Sequence, residues 1–203
     1  MSDLSVHSEP KWLDQAICQY EMPDSQELCE EIIERLKPSN RWIKSETTGG
    51  TQPYARESDQ IPFQEYSPAV EHEPVLAFSQ QCLNHYLEKL PDAKNQPPFG
   101  LVEGYNILRY QGDGKHGYHA VHSDFGYPLL VHRHLTFTMY LSDIDEGGEI
   151  EFPTQGVMVK PKTGRALIFP AFWLYSHRSL PHRTGEERYV FNIFYGFQKQ
   201  EVT

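Results

Sequence analysis

The sequence predicts a mainly β domain with flanking α-helices. Aromatic residues make up 13% of the chain, including 12 Tyr and 11 Phe, and such side chains favour pleated sheets. Helical periodicity is confined to the first half, whereas the second half consists of short alternating segments separated by turn residues. Six such segments within about a hundred residues are typical of a β-sandwich or barrel.

The first half of the chain predicts a tail, two helices and a loop. Residues 1–11 are polar and without periodicity, which indicates a flexible tail. Asp24 and Glu27 suggest a capping box that opens a helix ending before Pro38. A second helix begins near Pro74, which is tolerated in a first turn, and ends at Pro91.

Between these helices, residues 45–62 are rich in Gly, Pro, Ser and Thr and have few apolar residues. This composition predicts a mobile surface loop, which is either a lid over a site or a simple connection.

From residue 101 onward, alternation of apolar and polar residues predicts strands. The predicted strands are VEGYNILRY, LTFTMYL, EIEFP, VMVKP, RALIFP and YVFNIFYGF.

Length, charge and cysteine content limit the classes of function. The 203 residues fit one domain, so residues 12–203 are interpreted as a single domain. Eighteen Lys and Arg oppose 28 Asp and Glu, a formal charge of −10, which disfavours a nucleic-acid partner. No apolar run is long enough for a membrane span, and the start MSDLSVHSEP has no signal-peptide pattern. Three scattered cysteines predict a reducing, cytoplasmic location.

A pair of metal-binding residue types stands where a strand-like segment runs into a loop, in the stretch HAVHSDFG. Since side chains two residues apart on an extended strand point to the same side, His122 and Asp124 can bind one ion together. With a further histidine, two nitrogens and a carboxylate occupy one face of an iron octahedron and leave the other positions open. The alternative is a surface histidine beside a turn aspartate.

Two histidines could supply the third ligand. His177 lies just after the segment RALIFPAFWLYS, and His182 lies in the turn-rich PHRTG segment. We favour His177, because this choice leaves a turn before the next strand, which Arg188 opens. His132 and His134 form a His-x-His that could indicate a cupin-type metal site, but no glutamate follows at a suitable spacing on that strand, and an edge or rim role is preferred.

The second half of the chain resembles the 2-oxoglutarate- and Fe(II)-dependent dioxygenases, and within them the prolyl 4-hydroxylase group. The resemblance covers residues 101–198 and is carried by RYQGDGKHGYHAVHSD, MYLSDIDEGGEIEFP, KPKTGRALIFP and SHRSLPHRTGEERYVFNIF. It implies a double-stranded β-helix, or jelly-roll, core for residues 101–198. Residues 12–100 would then supply helical support and a lid-like loop.

The resemblance also implies roles for six residues. The Fe(II) ligands would be His122, Asp124 and His177. The cosubstrate 2-oxoglutarate would be bound by Arg188, Tyr140 and Tyr110: Arg188 meets its far carboxylate, Tyr140 reaches the same group, and Tyr110 lines the pocket. A guanidinium suits this task because its planar fork can donate two parallel hydrogen bonds to a carboxylate. Aromatic walls that exclude water are expected at Phe125, Phe172, Trp173 and Tyr175.

The pattern departs from the family at three places. His119 stands where an aromatic residue is usual, three positions before the first ligand histidine, and Tyr118 is displaced by one. Ile150 replaces a threonine in the GGEIEFP block. The interval from His177 to Arg188 is one residue longer than is common. These departures affect the pocket walls and the turn before the last strand.

The implied activity is hydroxylation of an unactivated C–H bond with O2, in which 2-oxoglutarate becomes succinate and CO2 and ascorbate is supportive. The first substrate expected is a prolyl residue in a peptide or protein. The alternative is a free amino acid or other small molecule. Two further classes are a nucleic-acid demethylase on the same scaffold, which the acidic charge disfavours, and a non-catalytic β-barrel binding module.

Overall fold

The computed structural model describes residues 9–47, 50, 52, 54–63, 70–126 and 128–198. Within them the chain forms thirteen strands and three α-helices. The strands are β1 Lys11–Trp12, β2 Cys18–Glu21, β3 Ile43–Lys44, β4 Arg56–Glu57, β5 Asp59–Phe63, β6 Phe99–Tyr110, β7 Gly117–His122, β8 Arg133–Tyr140, β9 Ile150–Phe152, β10 Val157–Val159, β11 Arg165–Pro170, β12 His177–Ser179 and β13 Arg188–Phe197. The helices are α1 Ser25–Leu36, α2 Glu73–Lys89 and α3 Pro91–Lys94, with 3-10 turns at Val70–His72 and Trp173–Tyr175.

The strands form two antiparallel sheets. The major sheet has eight strands in the order β1-β2-β11-β8-β13-β6-β5-β3, and the minor sheet has five in the order β10-β9-β12-β7-β4. A buried apolar cluster joins them, because it combines Ile150 and Phe152 of the minor sheet with Leu108, Leu167 and Val190 of the major sheet. The prediction of a mainly β, jelly-roll core is thereby confirmed.

The helices cover the opposite face of the major sheet. Ile32 of α1 and Phe78 of α2 pack in one buried cluster with Ile107, Phe137 and Phe191. Because side chains alternate along a strand, β6 and β13 present one set of residues to the helices and the other set to the minor sheet. The residues of β6 and β13 that face the minor sheet are therefore held in place from behind by the helices, and they can form one wall of a site.

Both predicted helices are present, but the capping box is not. Asp24 precedes α1 with a left-handed φ of 47° and makes no side-chain hydrogen bond that caps the helix. In this backbone conformation its carboxylate does not take the usual capping position. None of the helices that the structure describes is long and apolar enough to cross a bilayer.

The segment at 45–62 is not a loop throughout, so that prediction is corrected. β4 pairs with β7, and β5 pairs with β6, whereas residues 48, 49, 51 and 53 lie outside the described residues. The burial of Ile61 and the ion pair of Asp59 with Arg109 at 2.9 Å anchor β5. These partners are remote in sequence, which is why local composition pointed to a loop. Residues 1–8 of the predicted tail lie outside the described residues, and Lys11 already pairs with Gln19.

Candidate metal centre

Three potential ligand side chains meet on the inner face of the minor sheet. Donor atoms of His122, Asp124 and His177 all lie within 4.8 Å of one another. His122 ends β7 and is paired in register with His177, which begins β12. The Nε2 atoms of His122 and His177 are 3.9 Å and 3.8 Å from the two carboxylate oxygens of Asp124. The structure thus brings together the three residues expected from the sequence.

The backbone fixes both imidazoles in the same orientation. His122 Nδ1 donates to the carbonyl of Ala120 at 3.0 Å, and His177 Nδ1 donates to the carbonyl of Tyr175 at 3.2 Å. Since Nδ1 carries the proton in each ring, the lone pair is on Nε2, which faces Asp124. Hydrogen bonds of this kind orient and strengthen histidine ligands of metals.

Asp124 is held by a neighbour on the major sheet. The Thr136 hydroxyl donates to Asp124 Oδ2 at 2.7 Å. Burial acts to raise the pKa of Asp124, but the neighbouring His177 and His122, the Arg133 guanidinium and this hydrogen bond hold the pKa below its ordinary value. Asp124 is therefore a carboxylate, ready to act as an anionic ligand.

His122 is neutral at ordinary pH. Burial, followed by the neighbouring His177, lowers the pKa of His122 to about 3. A neutral imidazole is the form that binds a metal. Imidazole nitrogens and one carboxylate oxygen on a single face are the donor set that suits non-haem Fe(II) and leaves open coordination positions. The residues present therefore fit an iron ion.

A cavity of about 690 Å³ lies between the two sheets beside this cluster. The three candidate ligands line it, together with residues of both sheets. Tyr110 and Tyr140 are 3% and 4% exposed, and the part of the cavity that they line is its closed end. Arg133 also lines the cavity, and Glu103 accepts two hydrogen bonds from its guanidinium at 2.7 and 2.6 Å.

The aromatic walls differ from those expected. Of the four predicted residues, Phe125 lines the cavity, but Phe172, Trp173 and Tyr175 do not. Those three lie at a 3-10 turn that directs Trp173 outward, so that it is 72% exposed. Tyr118, Phe169 and Phe194 line the cavity instead. The sequence could not distinguish the aromatic residues that line the cavity from those that do not, since residue type alone does not say which way a side chain points.

Tyr118 takes the place of the displaced aromatic residue. Its register partner is Ser179, whereas His122 pairs with His177. Between these two pairs, three residues of β7 therefore oppose one of β12, and this irregularity brings Tyr118 against His122, with ring centroids 3.4 Å apart. A β-bulge thus compensates for the altered spacing.

Arg188 is completely buried below the closed end of the cavity and does not line it. Its guanidinium donates to the carbonyls of Gly148 and Leu180 and to Ser179 Oγ, and it lies 4.2 Å from the ring centroid of Tyr110. Nε has no hydrogen-bond partner among the described residues. Burial lowers the pKa of Arg188, yet guanidinium stays charged in proteins.

The two predicted tyrosines flank this cation from different strands. Tyr110 is paired in register with Arg188, and Tyr140 pairs with Val190, which is two residues along β13. The Tyr140 hydroxyl donates to the carbonyl of Val159 at 3.4 Å. Burial raises the pKa of Tyr140 to about 12, so its hydroxyl remains a hydrogen-bond donor at neutral pH.

The other histidines lie outside the cluster. His182 Nε2 donates to the carbonyl of Glu186 at 2.8 Å, and His182 is only 2% exposed, so it is buried rather than solvent-facing. His132 contacts Glu103 at 2.6 Å, and His134 donates to the carbonyl of Ala93 at 2.9 Å. The cupin-type interpretation of these last two is not supported by a shared ligand position within the described residues.

The sequence of this chain is similar to those of known oxygenases. Residues 105–196 match the model of the 2OG-Fe(II) oxygenase superfamily. Prolyl 4-hydroxylase 13 of Arabidopsis thaliana is 30% identical over 163 residues, which is 70% of this chain and 54% of that protein. Probable prolyl 4-hydroxylase 9 of the same plant is 31% identical over 166 residues, or 70% of this chain and 53% of that protein. The chain thus spans about half the length of these curated relatives.

Solved structures show the same fold. The viral collagen prolyl hydroxylase of Paramecium bursaria Chlorella virus-1, in a 2OG complex, aligns with a TM-score of 0.65 at 21% identity over 91% of this chain and 97% of that one. A prolyl-4-hydroxylase of Pseudomonas putida aligns with a TM-score of 0.69 at 17% identity, over 89% and 92% of the two chains. A Trichoplax adhaerens prolyl hydroxylase, solved with a hypoxia inducible factor peptide, gives 0.69 at 17% identity, over 89% and 83%.

Proposed function

Residues 105–196 make this chain a member of the 2OG-Fe(II) oxygenase superfamily, similar to prolyl 4-hydroxylases, and we propose that it is a 2-oxoglutarate-dependent dioxygenase that hydroxylates a prolyl residue. The observation that carries the proposal is the cluster of His122, Asp124 and His177 on the cavity wall, with both Nε2 atoms directed at one carboxylate. Because this donor set leaves coordination positions open, it favours an enzyme over a non-catalytic binding module.

In this proposal the three side chains hold Fe(II), and the rest of the cavity positions what reacts. The bound iron supplies, with O2 and 2-oxoglutarate, an oxidant able to hydroxylate an unactivated C–H bond, with succinate and CO2 as the other products. Thr136 keeps the Asp124 carboxylate oriented, and Ala120 and Tyr175 keep both imidazoles in the ligand tautomer. The walls formed by Tyr118, Phe169 and Phe194 exclude water.

The closed end of the cavity would receive the far carboxylate of 2-oxoglutarate. Arg188 supports this role, because it is a buried guanidinium whose hydrogen bonds go to carbonyls and a hydroxyl rather than to an acidic side chain. The charge of Glu149 acts on the guanidinium, but among the described residues no carboxylate contacts this buried cation, which is costly. A ligand carboxylate would supply that contact. Tyr140 adds a hydroxyl donor. The Tyr110 ring lies between the Arg188 guanidinium and the cavity, so this ring must move before the guanidinium can contact the ligand carboxylate directly.

The substrate proposed is a prolyl residue within a peptide or protein. The curated relatives support this class, and the Trichoplax neighbour was solved with a peptide fragment. Glu46, Thr47, Arg56 and Gln60 line the cavity, which supports a role of the 45–62 segment as a cover over the substrate. A free amino acid or other small molecule is the alternative, and the net charge of −10 argues against nucleic acid.

The three cysteines bear on location. Cys18, Cys29 and Cys82 are all buried and free, and unpaired thiols are usual in reducing compartments. This supports a cytoplasmic location.

The function is tested by incubating the purified chain with Fe(II), ascorbate and 2-oxoglutarate, with and without a panel of proline-containing peptides, and measuring succinate by mass spectrometry. We expect one or more peptides to raise succinate release, and Asp124→Ala to abolish it. Succinate that only small molecules raise would favour the alternative substrate class. No succinate under any condition, together with no binding of 2-oxoglutarate, would contradict the proposed enzyme.

A further inference from the structure

Two asparagines in the cavity wall are unusual in their hydrogen bonding. Of the buried side-chain polar atoms that lack a partner within the described part of the chain, those on the cavity belong to Asn106 and Asn192. In both cases the unpaired atom is the amide oxygen Oδ1. This leaves the amide nitrogen as the polar atom that each residue can present to the cavity.

The sheet register places these amides between the candidate metal ligands and Arg188. Asn192 of β13 pairs with Asn106 of β6 on one side and with Thr138 of β8 on the other. Thr138 stands two residues from Thr136, the residue that holds Asp124, and two residues from Tyr140. Since a strand rises about 3.3 Å per residue, the amide row lies about 7 Å from each of these neighbours, along the path from the ligands to the closed end.

Asn106, Asn192 and Thr138 form a row of cross-strand neighbours. Apolar side chains at the two asparagine positions of this row would make the fold more stable. Leu167 already pairs with Thr138 in it, and Leu108 and Val190 form part of the next row. A buried amide oxygen without a partner destabilises a fold, whereas an apolar group of the same shape does not. The two asparagines therefore weaken the ligand-free protein, which is common where residues serve binding rather than folding.

We propose that Asn106 and Asn192 form an amide pair that binds the 2-oxo acid cosubstrate by donating N–H groups to its oxygens. The inference rests on the proposed function. A 2-oxo dicarboxylate offers only hydrogen-bond acceptors, which match amide nitrogens facing the cavity. Cross-strand neighbours have Cβ atoms about 5 Å apart, so Asn106 can also donate to Asn192 Oδ1 when Asn192 turns its nitrogen to the ligand.

The pair is tested by binding and stability together, with no turnover. The protein is loaded with Mn(II), and the Kd for 2-oxoglutarate is measured by titration calorimetry for the unaltered chain and for Asn106→Leu and Asn192→Leu. We expect each variant to raise Kd about tenfold, the loss of one charge-assisted hydrogen bond. We expect Tm of the metal-free, ligand-free variants to rise by about 2–4 °C.

Gln81 supplies a matched control. Its Oε1 is also buried without a partner, but it lies on α2 and does not line the cavity. Gln81→Leu is expected to raise Tm with an unchanged Kd. Asn192→Ala adds no bulk and should weaken binding as Asn192→Leu does, which separates lost hydrogen bonding from obstruction.

Three outcomes would overturn the inference. If the unaltered protein binds 2-oxoglutarate and the asparagine variants bind it equally well, the amide pair is not a binding site. A fall in Tm with an unchanged Kd would assign the amides a structural role instead. If the unaltered Mn(II)-loaded protein does not bind 2-oxoglutarate, the proposed function itself is contradicted, and the inference with it.

Discussion

The ring of Tyr118 stacks on the ring of His122, with centroids 3.4 Å apart and planes inclined by 13°. The stack limits rotation of His122, while the Ala120 carbonyl holds its Nδ1 at 3.0 Å. On the other candidate histidine, Phe152 and Phe169 make the corresponding ring contacts. Both imidazoles are thus packed before any metal arrives, which reduces the entropy lost on binding.

Tyr118→Ala should therefore weaken metal binding. Without the ring, His122 gains rotational freedom, and we expect the dissociation constant for Mn(II) to rise about tenfold, at the low end of effects seen for groups that orient ligands. Calorimetric titration of the metal-free protein measures this. Tyr118→Phe keeps the stack and should bind like the unaltered chain, so an equal loss in both variants would rule out stacking as the cause.

Thr136→Val should loosen Asp124. The substitution keeps the side-chain shape and removes the 2.7 Å hydrogen bond to Oδ2, which is worth about 1.5–3 kcal/mol when the acceptor is charged. We expect Mn(II) affinity to fall about tenfold to a hundredfold. Thr136→Ser retains the hydroxyl and is the matched control. Unchanged affinity in Thr136→Val would show that Asp124 is oriented without this bond.

Arg188→Lys should impair cosubstrate binding but spare metal binding. Lysine keeps the charge, but its ammonium cannot reproduce the planar fork of a guanidinium. We predict that Kd for 2-oxoglutarate in the Mn(II)-loaded protein rises at least about tenfold, while Mn(II) affinity changes less than about twofold. Titrating first metal and then 2-oxoglutarate separates these effects. A variant that binds 2-oxoglutarate normally would remove Arg188 from the site.

Acidification should destabilise the fold in part through His72. This residue is fully buried, and its ring packs edge-on against Phe63, Tyr105 and Phe191. Burial lowers the pKa of His72, so below about pH 6.5 the unfolded state binds a proton that the folded state does not. Its share of the stability is thus present above pH 6.5 and is lost as pH falls toward the lowered folded pKa.

His72→Phe should reduce the pH dependence of unfolding. A group that titrates only in the unfolded state contributes up to about 1.4 kcal/mol per pH unit. Urea unfolding at pH 7 and at pH 5.5 gives the difference in free energy for each protein. A variant with the same pH dependence as the unaltered chain would mean that His72 takes up its proton without unfolding.

Features that depend on neighbours in the sequence were predictable. The long alternating segments became β6, β8 and β13, and the periodic stretches became α1 and α2. His122 and Asp124 could be paired because strand geometry relates residues two apart. Features that depend on remote pairing were missed: β2 joins the major sheet through β11, and β4 joins the minor sheet through β7.

The polar residues of the cavity were missed for a related reason. Thr136, Asn106 and Asn192 occupy alternate positions of strands, where polar side chains ordinarily face solvent. Only the second sheet makes those positions interior. The bulge that brings Tyr118 to His122 is likewise a property of the pairing between β7 and β12, so the spacing alone indicated a displaced ring and did not predict its contact with His122.

The most direct test of prolyl hydroxylation follows the two oxygen atoms of O2 into the products. A peptide that raises succinate release is incubated with Fe(II), 2-oxoglutarate and heavy-isotope O2, and both products are examined by mass spectrometry. We expect one heavy oxygen in succinate and one on a prolyl carbon, and neither with Asp124→Ala. Unlabelled peptide beside labelled succinate, or labelling that persists in Asp124→Ala, would contradict prolyl hydroxylation at the His122, Asp124 and His177 centre.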